Sequence, residues 1–473
     1  MSGNKRLQIG LLALRWEYFD SILPSDFRQE KESLTRDVVK FLSDFGDVVS
    51  AGLVDNEQAG RRHAELFRQH QVDCIVVFVH MATPGAYAWE ALREFRVPIL
   101  IWNAHRDRTI PQDYDMPDLC RKSSNVGTLM LTNVLLRHER SFEVVTGPWK
   151  DAKTRQRIGA FLRAASVRAR LRQARIGVLG GNPMAGYLDV EVDPQRLQDE
   201  IGPKCIFYSP ETWFDYVHSI QENVEPQVDA VRRGFKIMDL SDTELKRSVR
   251  VALALERLVA DESLDACAIN CHSEFFRHDE RVGVVACLGA SRLTTAGTAV
   301  ACTGDILTTV GMLLGKWLGS AVLYCECDLI DYEAGVMAMA NTGECDYQLR
   351  EPGTEIEVYR NPHFGGGNGG IQGACHSLKV RSGRATLMGF SPNAFAKGGW
   401  SLIVAPGEVT EAFHEKLIAG NCEFRFDRKP VEAAFDAWVN AGATHHGALC
   451  TGDLRQEIGY LAKMIGIEGT IIS

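Results

Sequence analysis

The sequence predicts an α/β protein in which two parallel-sheet domains precede a mostly antiparallel β domain. Three observations carry this reading. Short, nearly continuous apolar runs alternate with helical patterns through the first part of the chain. The same alternation restarts at Arg175. After Gly319 it gives way to short alternating segments punctuated by glycine.

Taken in order, strand-like runs lie at Leu7–Leu14, Val48–Val54, Val72–Val79, Val97–Trp102 and Phe142–Thr146. Their density in Val, Ile and Leu is what a strand covered on both faces requires. Glu30–Phe45, Asn56–His70 and Pro84–Phe95 read as helices between them, so the pattern is that of βαβ units in three layers. A basic helix from Asp151 to about Arg172 leads out of the first domain. Arg175–Gly180 opens the second domain; Ser241-Asp-Thr-Glu244 is a capping box ahead of a helix to about Ala260, Leu264–Asn270 is a buried strand, and Asp305–Leu318 is a helix. The later strands are Ala321–Ile330, Val336–Ala340, Glu355–Tyr359, Ser377–Val380, Ala385–Phe390 and Ser401–Ala405, followed by helices at Pro430–Asn440 and Asp453–Ile465. The expected domains are residues 1–168, 169–320 and 321–473. The first two are Rossmann-like in the flavodoxin sense and the third is barrel-like.

Composition narrows the function. The chain has 473 residues, 45% hydrophobic and 24% charged, which excludes a disordered or fibrous protein. With 52 Lys+Arg against 61 Asp+Glu the net charge is −9, the wrong sign for a generic polyanion binder, so nucleic acid is not an expected partner. No apolar run approaches the roughly 18 residues of a membrane span. Met1–Arg6 leads straight into the first strand without a cleavage site, and the 13 cysteines are odd in number and scattered through apolar runs. Both features predict a reduced, cytoplasmic protein. The arginines of the helix from Lys153 read as a solvated face or a subunit contact. Gly180-Gly-Asn-Pro183 is not a dinucleotide fingerprint, and adjacent Cys271 and His272 point apart, which argues against a thiol nucleophile.

The chemistry gathers late in the chain. On the strand around Val322–Leu329, Val322, Tyr324, Glu326 and Asp328 share one face and Leu323, Cys325, Cys327 and Leu329 the other. The second set is uniformly apolar, so Cys325 and Cys327 are expected to pack in the core rather than to clamp zinc with Glu326. Glu344 follows a Gly turn in Asn341-Thr-Gly-Glu-Cys345, His363 precedes the glycine tract at Gly365, and His445-His446 opens a strand. Two carboxylates and one or two histidines from element ends suit a divalent ion such as Mn2+. The alternative is that each is a separate turn or surface residue.

This quartet resembles the metal site of the L-arabinose isomerase family. Val144-Val-Thr-Gly147, Trp149, Asp151 and Arg157-Ile-Gly159 are similar to the family's exit from its first domain. Val79-His80, Thr83-Pro84 and Trp89 resemble its third-strand segment, and the helix after Gly452-Asp453 looks like the closing segment of arabinose and L-fucose isomerases. The resemblance implies that Glu326, Glu344, His363 and His446 bind Mn2+, or another divalent ion such as Co2+ or Mg2+. It implies that Glu326 and Glu344 are also the acid/base pair of an aldose–ketose isomerisation through an enediol. The substrate would be a pentose, hexose or deoxysugar, and the protein a homo-oligomer, with a hexamer favoured and a neighbour's first domain completing the site. His445 is expected beside His446 in a supporting role. A sugar epimerase on the same scaffold and an inactive sugar-binding or regulatory homologue are the alternatives.

The sugar is where the chain departs from the family. Arg15-Trp-Glu-Tyr-Phe-Asp20 does not match the family's substrate-facing segment, and Asn103-Ala-His-Arg-Asp-Arg108 replaces a Gln-containing stretch after the fourth strand. Ligands of parallel sheets usually bind at that edge. His80, His105, Arg106 and Arg108 are therefore candidate substrate-binding residues, the two arginines for an anionic substituent. The alternative is that Asp107 pairs with one of them in an ordinary surface loop.

Overall fold

A computed structural model describes residues 6–181, 186–220, 223–273, 276, 279, 281–341, 343–362 and 372–472. The chain forms two compact units, residues 3–169 and 170–473.

In the first unit, β1 (Leu7–Leu14), β2 (Gly46–Val49), β3 (Leu53–Val54), β4 (Cys74–Val79), β5 (Ile99–His105) and β6 (Glu143–Pro148) form a parallel sheet. Its order is β2-β1-β4-β5-β6, with β3 also on β1, so the chain reverses direction across the sheet between β1 and β4. The helices are α1 (Phe27–Leu42), α2 (Glu57–His70), α3 (Gly85–Leu92), α4 (Met116–Lys122), α5 (Ser124–Arg137) and α6 (Ala152–Leu171). Every residue of β4 is buried, which is why its sequence carries no polar alternation. The arginines of α6 are half-buried rather than solvated: Arg155 stacks on Phe41 and Trp149, and Arg157 donates to the Val144 carbonyl. Long side chains with apolar stems cover sheet and helix surface in this way.

The second unit holds a parallel sheet and a larger mixed one. β7 (Arg175–Leu179), β8 (Lys204–Tyr208), β10 (Ala266–Ile269) and β11 (Ala299–Ala301) are parallel in the order β11-β10-β7-β8. Helices α7 (Pro194–Glu200), α8 (Pro210–Ser219), α9 (Glu225–Gly234), α10 (Asp242–Asp261), α11 (Cys287–Ala296) and α12 (Ile306–Trp317) accompany them. The expected capping box opens α10: Ser241 accepts from the Glu244 amide, and the Glu244 carboxylate accepts from the Ser241 amide. β9 (Lys236–Asp239) joins the mixed sheet instead.

That sheet comprises β9 with β12 (Val322–Asp331), β13 (Val336–Asn341), β14 (Glu357–Arg360), β15 (Ala374–Lys379), β16 (Gly383–Pro392), β17 (Trp400–Val409), β18 (Gly420–Phe426), β19 (His446–Thr451) and β20 (Glu468–Ile471). Pairing of β17 with β18 closes the path β17-β16-β19-β12-β13-β18 into a ring whose pairings are all antiparallel. Leu323, Cys325, Met339, Leu387, Ile403, Phe424 and Leu449 belong to its core, and α13 (Val431–Asn440) packs there through Val431, Ala434 and Trp438. Closure needs Gly407 on β17, since a Cβ there would lie 2.2 Å from the Arg425 carbonyl oxygen. Helix α14 (Arg455–Ile465) precedes the last strand.

One expected face is corrected. Cys325 is in the core and Cys327 packs partly against it, but Leu329 is 74% exposed. The β12–β13 register shifts between Cys327 and Leu329, and a bulge of this kind moves the following side chains to the opposite face. All 13 cysteines are free thiols. No helix among the described residues is long and apolar enough to cross a membrane.

Candidate active site

Tyr324 and Glu326 share a face of β12, as strand alternation requires, and β19 brings His446 directly opposite Glu326. The His446 Nε2 lies 3.3 Å from Glu326 Oε1. On the other side of the ring, Nδ1 lies 3.1 Å from Asp305 Oδ2 and 2.7 Å from the Tyr324 hydroxyl. That hydroxyl is 2.9 Å from Thr303 Oγ1. Asp305 is fully buried and caps α12, its other carboxylate oxygen accepting the Thr308 amide at 2.8 Å. One carboxylate therefore anchors a helix and orients an imidazole. With Nδ1–H donated to Asp305, the tautomer of the neutral ring is set and the Nε2 lone pair faces Glu326.

Burial opposes charge on His446, but its hydrogen bonds to Asp305 and Glu326 outweigh that and push the imidazole up to about 9. The space between Nε2 and Glu326 thus favours a positive charge, whether a proton or a cation. His445 stands beside it, the two rings 3.7 Å apart, with its Nδ1 2.6 Å from Asp189 Oδ2. Single ligand atoms of Glu326, His445 and His446 all lie within 4.8 Å of one another. A carboxylate and two imidazoles are donors that suit Mn2+ or Zn2+, so the residues present fit a divalent ion.

Glu344 sits at the end of β13, 4% exposed, beside Cys271, Cys287 and Cys302. Burial pushes its carboxyl up to about 7, tempered by its own backbone amide and by the charge of His446. Asn341 Nδ2 lies 3.4 Å from its Oε1. Glu344 is close enough to feel His446 but is not in the tight trio. His363 falls outside the described residues. Cys302, hydrogen-bonded to Cys271 and buried, and Cys287, buried near Glu344, are both held well above the usual thiol range, which makes these two poor nucleophiles.

The candidates of the first unit lie at the C-terminal ends of its strands. His80 and Arg106 line one cavity there. Arg106 pairs with Glu30 at 2.7 Å and Arg108 with Asp151, whereas Asp107 pairs with Lys122 at 3.0 Å. The alternative pairing of Asp107 with an arginine does not form: Glu30 of α1 and Asp151 pair with the arginines, and Lys122 takes Asp107. The His105 carbonyl accepts the Trp149 amide, and its ring is not among the residues lining that cavity.

Asp305 and Asp189 were not legible as site residues. Asp305 had a signal, an Asp directly before a helical run, but that signal announces a cap and says nothing of an imidazole arriving from residue 446.

No family model matches the chain. Curated relatives do match along most of its length. A sulfoquinovose isomerase of Alkalicoccus urumqiensis is 21% identical over 400 residues, covering 84% of this chain and 85% of that protein. An L-arabinose isomerase of Shouchella clausii is 21% identical over 443 residues, covering 87% and 84%. Another, of Geobacillus stearothermophilus, is 22% identical over 440 residues, covering 88% and 84%. The chain is an isomerase, a distant relative of the sugar isomerases. These relatives carry the arabinose-isomerase part of the expected resemblance and are silent on the fucose-isomerase part.

Proposed function

We propose that the protein is a metal-dependent aldose–ketose isomerase acting on a pentose, hexose or deoxysugar. The observation that carries this reading is His446, fixed on one side by Asp305 and presenting its other nitrogen to Glu326 at 3.3 Å. Similarity to sugar isomerases along most of the chain supports it.

Interconverting an aldose and its 2-ketose moves one proton between C2 and C1 and another between O1 and O2. The carbon acid is weak, so a positioned base must take the proton and return it. Glu326 and Glu344 fill these roles: Glu326 half-exposed beside His446, Glu344 enclosed where a carboxyl readily holds a proton. His446 and Glu326, with His445 adjacent and His363 in the set the resemblance implies, would hold the ion, taken as Mn2+ or another divalent metal such as Co2+ or Mg2+. When bound, the ion would supply Lewis-acid stabilisation of the negative charge that builds on the sugar oxygens. Asp305, Tyr324 and Thr303 keep the imidazole from rotating. In this reading the segments 1–168, 169–320 and 321–473 are the three domains of an arabinose- or fucose-isomerase-like subunit in a cytoplasmic homo-oligomer, a hexamer favoured.

The test is a panel of aldoses incubated with metal-stripped enzyme before and after Mn2+ is restored, with ketose detected as product. Ketose from at least one sugar, dependent on Mn2+ and lost in Glu344→Gln, is expected. Metal-independent turnover, or conversion only to another aldose, overturns the assignment.

A further inference from the structure

An acid or base misplaced by about 1 Å loses about 100-fold in rate, so the aim of Glu344 matters to the proposed reaction. Its carboxylate is weakly held by other side chains. Asn341 Nδ2 lies 3.4 Å from Oε1, and otherwise backbone amides reach it. The side chain must therefore be aimed through its own backbone. That backbone is a turn between β13 and the short 3-10 helix Tyr347–Leu349. Gly343 enters it at φ +130°, and a Cβ there would lie 2.6 Å from Cys287 Sγ. Glycine alone meets both demands.

The groups that hold the turn come from distant parts of the chain. The Gly343 carbonyl and the Cys345 amide belong to the two peptide planes on either side of the Glu344 Cα. Because each peptide is planar, fixing both planes fixes φ and ψ of Glu344. His376 of β15, fully buried, takes the first plane. Its backbone amide donates to the Gly343 oxygen at 3.1 Å, and its ring Nδ1 stands 3.3 Å from the same oxygen. Ser291 of α11, also fully buried, takes the second: its Oγ accepts the Cys345 amide at 2.8 Å. His376 Nδ1 and Ser291 Oγ are themselves 3.3 Å apart, so one linked pair grips both planes.

The tautomer of His376 follows from its partners. A carbonyl oxygen only accepts, so Nδ1 carries the proton where it meets Gly343. Nε2 is then an acceptor, and the Tyr347 hydroxyl stands 3.0 Å from it. Tyr347 is held in turn by Thr295, on the same helix as Ser291, whose Oγ1 accepts the Tyr347 amide at 2.8 Å. No carboxylate pairs with the ring among the described residues, and burial holds the imidazole down to about 4, so it stays neutral.

We infer that His376 and Ser291 are positioning residues for Glu344: from β15 and α11 they fix the peptide planes on either side of it and so aim its carboxylate, while Tyr347 sets the tautomer of His376. Neither belongs to the trio that would hold the ion. The inference rests on the isomerase reading, in which Glu344 moves a proton.

The test uses the full chain saturated with Mn2+ and the aldose of the panel that gives ketose fastest. Ser291→Ala takes the acceptor from the Cys345 amide and should lower kcat about tenfold, with KM within about threefold of wild type. His376→Gln carries its amide past the Gly343 oxygen and should lower kcat about 10- to 100-fold. His376→Asn sets an N–H donor where Nδ1 stood and should recover most of that loss, although glutamine matches histidine better in volume. Hydrogen exchange at the Cys345 amide should quicken about tenfold in Ser291→Ala and His376→Gln and stay slow in His376→Asn. Gly407→Ala, a destabilised protein with this turn intact, should keep its kcat. If His376→Gln does not fold, Ser291→Ala carries the same two readouts. Unchanged kcat in Ser291→Ala and His376→Gln, His376→Asn no better than His376→Gln, or an equal loss of kcat in Gly407→Ala overturns the positioning role alone. A wild type that makes no ketose overturns the isomerase reading and this role together.

Discussion

Replacing Lys31 by Met should make the protein more stable at neutral pH. The side chain is 5% exposed and burial holds its ammonium down to about 8, against the ordinary 10.5, with Glu30 favouring the charge and Arg106, Arg121 and Arg15 opposing it. From 10.5 to about 8, at about 1.4 kcal/mol per pH unit, the cost of keeping the lysine charged in the folded state is about 3 kcal/mol. Methionine has similar length and no charge, so it escapes that cost but forfeits the bond to the Arg121 carbonyl, about 1 kcal/mol. The expected gain is about 2 kcal/mol near pH 7. The sign of the pH dependence follows from the depressed folded-state value. Between pH about 8 and 10.5 the unfolded chain still binds a proton that the folded chain has released, so wild-type stability rises through that window. The advantage of the variant should therefore fade and reverse by about 1 kcal/mol above it. Urea unfolding of both proteins near pH 7 and near pH 10.5 measures this, and other titrating groups cancel in the difference. A variant less stable than wild type at pH 7, or a difference that ignores pH, refutes the reasoning.

Three further outcomes are expected. Glu344→Gln should lower kcat about 10²–10⁴-fold with an unchanged circular dichroism spectrum, since it keeps shape and removes the proton acceptor. Asp305→Asn should weaken Mn2+ binding about 10–100-fold by calorimetry while sparing stability, because Asn still caps α12; Asp305→Ala should lose both, with about 1 kcal/mol from the cap. Gly407→Ala should cost about 1–3 kcal/mol in urea unfolding, because its Cβ would meet the Arg425 carbonyl oxygen at 2.2 Å where β17 and β18 close the ring.

Much of the architecture was legible because buried parallel strands and capped helices write themselves locally. The runs at Leu7–Leu14 and Val72–Val79 lie on β1 and β4, and Ser241 opens α10 as its box predicts. Elements whose sequence is mixed were missed. Lys204–Tyr208 is a strand with no fully buried residue, and β9 is held by β14, more than 100 residues later. The pairing that puts His446 across from Glu326 spans 120 positions, and no spacing rule encodes it. Strand alternation did place Tyr324 and Glu326 on one face. It failed at Leu329 because a bulge is a tertiary event that alternation does not announce.

The double duty of Asp305 ties metal affinity to the local opening of a helix. Fraying the first turn of α12 frees the carboxylate from the Thr308 amide and with it the grip on His446 Nδ1. Any ion that prefers the locked imidazole must then slow that fraying by the same free energy. Hydrogen exchange at the Thr308 amide becomes a gauge of site occupancy that needs no substrate, and mutations anywhere along α12 that loosen its start should appear as weakened metal binding, even when they touch no ligand.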